Sequence, residues 1–136
     1  GTGRDRTRGI AIADFDGDGQ LDILNANIGE PNAVYFGDGK GQFARSLTFG
    51  GAENSYAVAT GDVDGDGRMD IVVGNAGGPN VVYLQQPDGS LHAVPFGLAA
   101  GRTYGLVVAD WNGDGLLEIA TANSDGKNHL YQLERR

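Results

Sequence analysis

Three nine-residue stretches of this chain place oxygen-bearing side chains at the same four points. They are Asp14-Phe15-Asp16-Gly17-Asp18-Gly19-Gln20-Leu21-Asp22, Asp62-Val63-Asp64-Gly65-Asp66-Gly67-Arg68-Met69-Asp70 and Asp110-Trp111-Asn112-Gly113-Asp114-Gly115-Leu116-Leu117-Glu118. Positions 1, 3, 5 and 9 are acids except for Asn112. Carboxylates this close repel one another unless a cation neutralises them. A hard divalent ion seeking six to eight oxygens fits, and Ca²⁺ accepts irregular geometry that Mg²⁺ does not. The main-chain carbonyl of position 7 (Gln20, Arg68, Leu116) offers a fifth protein ligand, and glycine at positions 4 and 6 lets the backbone turn sharply. Asp and Gly are also ordinary turn residues. Three copies with one internal spacing point instead to three Ca²⁺ ions per chain.

These are not EF-hand loops, which need a bidentate Glu at position 12 and flanking helices. Position 12 is Asn25, Val73 or Thr121. The segments that must position the loops read as strands: 10–13, 57–60 and 106–109 before them, and 22–27, 70–75 and 118–123 after them, short and partly β-branched. Turn-like segments follow at 28–32, 76–80 and 124–128, then strands at 33–36, 81–84 and 129–132. Residues 37–41 form a Gly-rich hairpin turn, and 42–49 alternates like a half-exposed fourth strand. Asp14, Asp62 and Asp110 recur with a period of 48, as do Asn27, Asn75 and Asn123, Asn32, Asn80 and Asn128, and Tyr35, Tyr83 and Tyr131. On a gap-free period Phe43 matches Leu91, and Tyr56 matches Tyr104. A period of this length marks propellers or solenoids, and four antiparallel strands in under fifty residues is the size of one propeller blade.

The sequence therefore predicts an all-β chain of about three four-stranded antiparallel β-propeller blades, approximately 1–48, 49–96 and 97–136, the last incomplete. Three blades fall short of the four to eight that close a propeller. The expectation is closure by oligomerisation, a two-fold dimer being simplest and residues 1–8 helping at the junction, or membership of a larger propeller. The chain begins at Gly1 without Met and looks processed or excised.

Composition sets further bounds. The formal net charge is −8, and eleven of the 18 acidic residues lie in the three loops, so three bound Ca²⁺ would leave about −2. This acidity argues against nucleic acid and anionic membranes as partners, and no apolar run is long enough to span a bilayer. Gly makes up 24 of 136 residues, more than twice the usual share of about 7%, as a turn-dense β chain requires. There is no cysteine, hence no disulfide. Weak calcium loops are useful where calcium is near millimolar, which points outside the cytosol, to an extracellular or periplasmic setting.

Other chemistry is thinly supported. Gly37-Asp38-Gly39-Lys40-Gly41 lacks the Ser/Thr and the helix of a phosphate loop and reads as a turn. His92 and His129 are isolated, with Ala44 as the repeat equivalent of the first and Ala33 and Val81 of the second, and no Gly-x-Ser-x-Gly occurs. The acids outside the loops sit in turns or at the ends, so no glycosidase pair stands out. Arg4, Arg6 and Arg8 read as a solvated basic segment. The repeated Asn residues suit left-handed turns and the repeated Tyr residues a strand core; a site of Asn amides and Tyr stacking surfaces for sugar or peptide is the sharper alternative.

The segments Ala13-Asp-Phe-Asp-Gly-Asp-Gly-Gln-Leu-Asp-Ile23, Gly61-Asp-Val-Asp-Gly-Asp-Gly-Arg-Met-Asp-Ile71 and Ala109-Asp-Trp-Asn-Gly-Asp-Gly-Leu-Leu-Glu-Ile119 resemble the FG-GAP/VCBS repeat family, the calcium-loop blades of integrin α-subunit propellers and of many secreted bacterial and fungal proteins. The resemblance spans the whole chain. Phe-Gly appears raggedly, at Phe36-Gly37 and Phe49-Gly50, and Asn112 and Glu118 depart from the pattern in the third loop. The resemblance implies a β-propeller with calcium between strands one and two of each blade, and no single activity. The function expected is a non-catalytic, calcium-stabilised extracellular recognition or scaffolding module with a protein or carbohydrate ligand. The alternatives are a lectin binding sugar between blades and a non-catalytic module of a secreted carbohydrate-active enzyme.

Overall fold

The computed structural model describes residues 6–134. Arg4 and most of the segment expected to help at a junction therefore lie outside the described residues. Eleven strands follow in order: β1 Thr7–Ala13, β2 Asp22–Asn27, β3 Asn32–Phe36, β4 Arg45–Phe49, β5 Ser55–Gly61, β6 Asp70–Asn75, β7 Asn80–Gln85, β8 Leu91–Phe96, β9 Thr103–Ala109, β10 Glu118–Asn123 and β11 His129–Gln132. Among the described residues there is no helix. The strands form three antiparallel sheets, ordered β1-β2-β3-β4, β5-β6-β7-β8 and β9-β10-β11. Each is a meander in which every strand pairs with its sequence neighbour.

First strands lie side by side, β1 against β5 and β5 against β9, so the sheets stack face to face in chain order, as propeller blades do. Side chains alternate between the faces of each strand, and the second sheet shows the consequence. Ile71, Val73 and Tyr83 join Phe15, Leu24, Val34, Phe36 and Phe49 of the first sheet in one core. Val63, Val72, Val82 and Leu84 join Ile119 of the third sheet in the other. Both faces of the second sheet are covered, which is why β6 is buried along its whole length. Aromatic pairs repeat the junction: Phe49 meets Tyr83 edge-on at 5.0 Å and Phe96 meets Tyr131 at 5.0 Å. Tyr83 and Tyr131 of the repeat are thus part of the packing between sheets.

The strict period of 48 holds through the third strands and fails in the fourth. Asn32 pairs with Phe49, but its equivalent Asn80 pairs with Phe96, one residue short of the period. The β3–β4 connection is longer than the β7–β8 connection, and the segment 97–102 restores the register before β9. Phe49 therefore corresponds to Phe96, while Phe43 still matches Leu91, because Asp38 N–H donates to Gln42 O as Gln86 N–H donates to Ser90 O. His92 likewise stands opposite Leu84 as Arg45 stands opposite Phe36, so its equivalent is Arg45 and not Ala44. The extra residue lies between Phe43 and Arg45, at the exposed start of β4, where a change of length is accepted that the buried strands do not accept.

Candidate metal centres

Each acidic loop joins the first strand of a sheet to the second, so all three repeat one geometry. Their glycines take the left-handed conformation the turn demands, φ 76° and 85° at Gly17 and Gly19 and 76° and 84° at Gly113 and Gly115. Backbone donors fix the carboxylates. Gly19, Gly67 and Gly115 donate to Oδ2 of Asp14, Asp62 and Asp110, each at 2.9 Å. Gln20, Arg68 and Leu116 donate to Oδ1 of Asp18, Asp66 and Asp114 at 2.8, 2.9 and 2.8 Å. The loop thus arranges its own acids before any ion arrives.

The structure brings together Asp14, Asp16 and Asp18; Asp62, Asp64 and Asp66; and Asp110, Asp114 and Glu118, with the oxygens of each group within 4.8 Å of one another. Such groups could hold a metal ion. The donor set is all oxygen, as a hard cation requires. Asp14 Oδ1 is in addition buried without a hydrogen-bond partner. A buried carboxylate oxygen left so is costly unless a cation takes it, and this is the observation by which the residues present fit a metal.

Position 9 does not behave alike in the three loops. Asp22 is fully buried and accepts from Phe15 N–H at 2.8 Å and Gly37 N–H at 2.9 Å. Asp70, equally buried, accepts from Val63 N–H at 3.0 Å and Gln85 N–H at 2.9 Å. Each clasps its loop to the end of the third strand from beneath. Burial foremost, with the charges of Asp64 and Asp66 behind it, pushes the Asp70 carboxyl up to about 6 against the pull of its two backbone donors. Glu118 has one more methylene. One oxygen accepts from Trp111 N–H at 2.8 Å, and the other reaches the loop's acids, accepting from Asn112 Nδ2 at 2.9 Å. Asn112 also donates to Asp114 Oδ2 at 3.0 Å.

Two arginines attend the first two loops. Arg45, on β4, forms an ion pair with Asp16 and lies over the Phe36 ring, 3.7 Å from its centroid. Arg68 pairs with Asp66 within its own loop and donates from Nε to Gln85 O at 2.9 Å. In the third loop Gln132 Nε2 donates to Asp114 Oδ2 at 3.1 Å. Neither Arg45 nor Gln132 was marked by the sequence pattern, because each reaches its loop from across the sheet.

The remaining candidates resolve into structure. Residues 37–41 belong to the β3–β4 turn, where Asp38 Oδ1 accepts from Lys40 N–H at 2.8 Å and Gln42 N–H at 3.0 Å. Those donors hold the Asp38 carboxyl below its ordinary range. Asn27 Oδ1 accepts from Thr7 at 2.8 Å while its Nδ2 donates to Pro31 O at 2.8 Å. Asn75 repeats this with Ser55 and Pro79, and Asn123 with Thr103 and Lys127. Asn32, Asn80 and Asn128 cap the same turns by accepting from the backbone of Asn27, Asn75 and Asn123. Asn32 Nδ2 also donates to Ser55 Oγ, at 3.1 Å across a sheet junction. His92 is exposed, and His129 lies 5.8 Å from the Tyr131 ring.

Stacked antiparallel meanders of four, four and three strands, each with an acidic loop between its first two strands, define a propeller-blade module. The FG-GAP-like repeat signature matches residues 14–73 and again residues 62–121, and the chain belongs to that family. No curated protein matches it.

Proposed function

We propose that this chain is a calcium-stabilised, non-catalytic recognition or scaffolding module that works outside the cytosol. The observation that carries the reading is the triplicated loop, whose acids are arranged by their own backbone and include a buried carboxylate oxygen with no partner at Asp14. Asp14, Asp16 and Asp18 would hold the first ion, Asp62, Asp64 and Asp66 the second, and Asp110, Asp114 and Glu118 the third. Gln20, Arg68 and Leu116 add main-chain carbonyls, Asn112 an amide oxygen, and Asp22 and Asp70 support from beneath. A bound ion supplies charge neutralisation and a cross-link within each loop. At ten times its dissociation constant each ion stabilises the fold by about 1.4 kcal/mol, so three contribute about 4 kcal/mol. That is a large part of the 5–15 kcal/mol typical of a domain.

Loops as open as these suit an environment rich in calcium, which supports a secreted setting. The ligand is a protein or a carbohydrate. The reading in which repeated amides and tyrosines bind sugar is weakened because Asn27, Asn75 and Asn123 are engaged at both ends of the amide. Titration calorimetry with Ca²⁺ and with Mg²⁺ tests the metal reading, with three Ca²⁺ per chain as the expected result. No heat of binding, together with a melt indifferent to EDTA, refutes it. A glycan array run with and without EDTA then separates a sugar ligand from a protein one.

A further inference from the structure

The two internal junctions of this chain are built to one plan, and two outward sheet faces carry the same plan into solvent. At the first junction Phe15 and Val34 enter a core against which Val58 and Met69 pack. One period on, Val63 and Val82 enter a core against which Leu106 and Leu117 pack. Another period on from Phe15 and Val63 stands Trp111, and on from Val34 and Val82 stands Leu130. These are 51% and 62% exposed, with Val107 beside them at 55%. One period back from Val58 and Met69 stand Ile10 and Leu21, 65% and 64% exposed, with Ile12 at 61%. Among the described residues, six of the nine large exposed apolar side chains thus occupy positions that the internal junctions cover.

The two faces are opposite halves of one interface. The third sheet's outer face has the donor set, centred on a shallow apolar depression of about 590 Å³ bordered by Val107, Ala120, Ala122 and Leu130. The first sheet's outer face has the receiving set. Scattered apolar residues on a surface need no explanation, but a contiguous patch matching a known contact marks a docking site.

We propose that the outer face of the third sheet docks on the outer face of the first sheet in a second copy of this chain, Leu130 meeting Ile10 and Trp111 meeting Leu21. Because the faces differ, the contact is head to tail, and such contacts form a ring or run on as a filament. Two copies present six sheets, within the four to eight that close a propeller, whereas three copies present nine. For these 136 residues a ring of two, with both junctions alike, is the smallest closed form of that contact. This inference stands on packing and is independent of which ion fills the loops.

The test is light scattering of the chain in millimolar calcium, comparing three variants with the unsubstituted protein. The unsubstituted chain is expected at twice the 14.2 kDa of one chain. Leu130→Lys and Ile10→Glu, each on exposed positions, are expected to run as folded monomers with an unchanged circular dichroism spectrum. The double variant sets a lysine opposite a glutamate at both junctions and is expected to return to the dimer mass. An unsubstituted chain at 14.2 kDa would mean that these faces are covered by a blade of a longer chain or by another protein, and overturns the proposal. Single variants that stay dimeric overturn it as well.

Discussion

Asp22→Ala separates two roles that position 9 of the loop could play. The carboxylate is fully buried and accepts from Phe15 N–H at 2.8 Å and Gly37 N–H at 2.9 Å, joining the loop's start to the end of β3. Hydrogen bonds to charged groups contribute about 1.5–3 kcal/mol each, and the alanine leaves both donors buried and unmet, so the loss should be about 3–6 kcal/mol. Asp22→Asn keeps one acceptor and turns an amide N–H₂ toward the other donor; it should lose about half as much. With a urea slope of 1–3 kcal/mol per molar, the alanine variant's midpoint falls by at least about 1 M.

The decisive condition is EDTA. A clasp made of backbone hydrogen bonds works without metal, so the loss should persist in the chelated protein and grow when calcium is added. If Asp22→Ala shares the parent's urea midpoint in EDTA and differs from it only in calcium, the carboxylate acts solely as a ligand. The reading of Asp22 as a brace beneath the loop is then wrong.

Three further outcomes follow from the same geometry. In a chelator titration followed by calorimetry, the third loop should empty first, because Asn112 is neutral and its amide must leave Asp114 and Glu118; the Arg45–Asp16 pair is exposed and worth at most about 1 kcal/mol, too little to reverse the order. In calcium-stripped protein the Asp70 carboxyl stands near 6 when folded against 3.8 unperturbed, so its contribution is fully present below pH 3.8 and lost as pH rises through 6. The calcium-stripped parent should therefore lose up to about 3 kcal/mol between pH 4 and 7 relative to Asp70→Asn, and urea midpoints that run parallel for the two refute it. A Cβ on Gly74 would stand 2.8 Å from Thr103 Cγ2 and 3.1 Å from Leu106 Cδ2, so Gly74→Ala should cost about 1–3 kcal/mol by overpacking. Adding Thr103→Ser and Leu106→Val, the residues that Ser55 and Val58 supply beside Ala26 at the first junction, should recover most of it in thermal melts.

What could be read from the sequence and what could not divides by the reach of each interaction. The second strands were legible to the residue, 22–27, 70–75 and 118–123, because acid, apolar run and Asn end stop each of them at the same place in three copies. Positions 1, 3 and 5 of the loops were legible for the same reason: their partners are backbone amides two to five residues away, so spacing alone arranges them. The fourth strand was not. It was expected from residue 42 and begins at Arg45, because Asp38 holds the chain in its turn through Gln42, and a count of 48 cannot see the one extra residue between Gln42 and Arg45. The hydrogen bonds by which position 9 reaches Gly37 and Gln85, 15 residues further on, were not legible either. Arg45 reaches Asp16 from a separation of 29 residues.

The contrast between Asp22 and Glu118 shows how little separates a brace from a ligand. All three acids accept from the backbone N–H of position 2 of their loop. The shorter Asp arms spend the second oxygen on the third strand, at Gly37 and Gln85. The extra methylene carries the second oxygen of Glu118 past that point and in among Asp110 and Asp114. The third loop thereby gains a carboxylate within its acidic group, where Asn112 has removed one, and gives up its clasp on the strand. Its charge is partly restored while its anchorage is not, and β11 lies beside it as the last strand of its sheet among the described residues. A single carbon thus moves an oxygen from the strand to the cluster of acids, and under the proposed metal reading this is the loop that would depend most on a bound ion to stay in place.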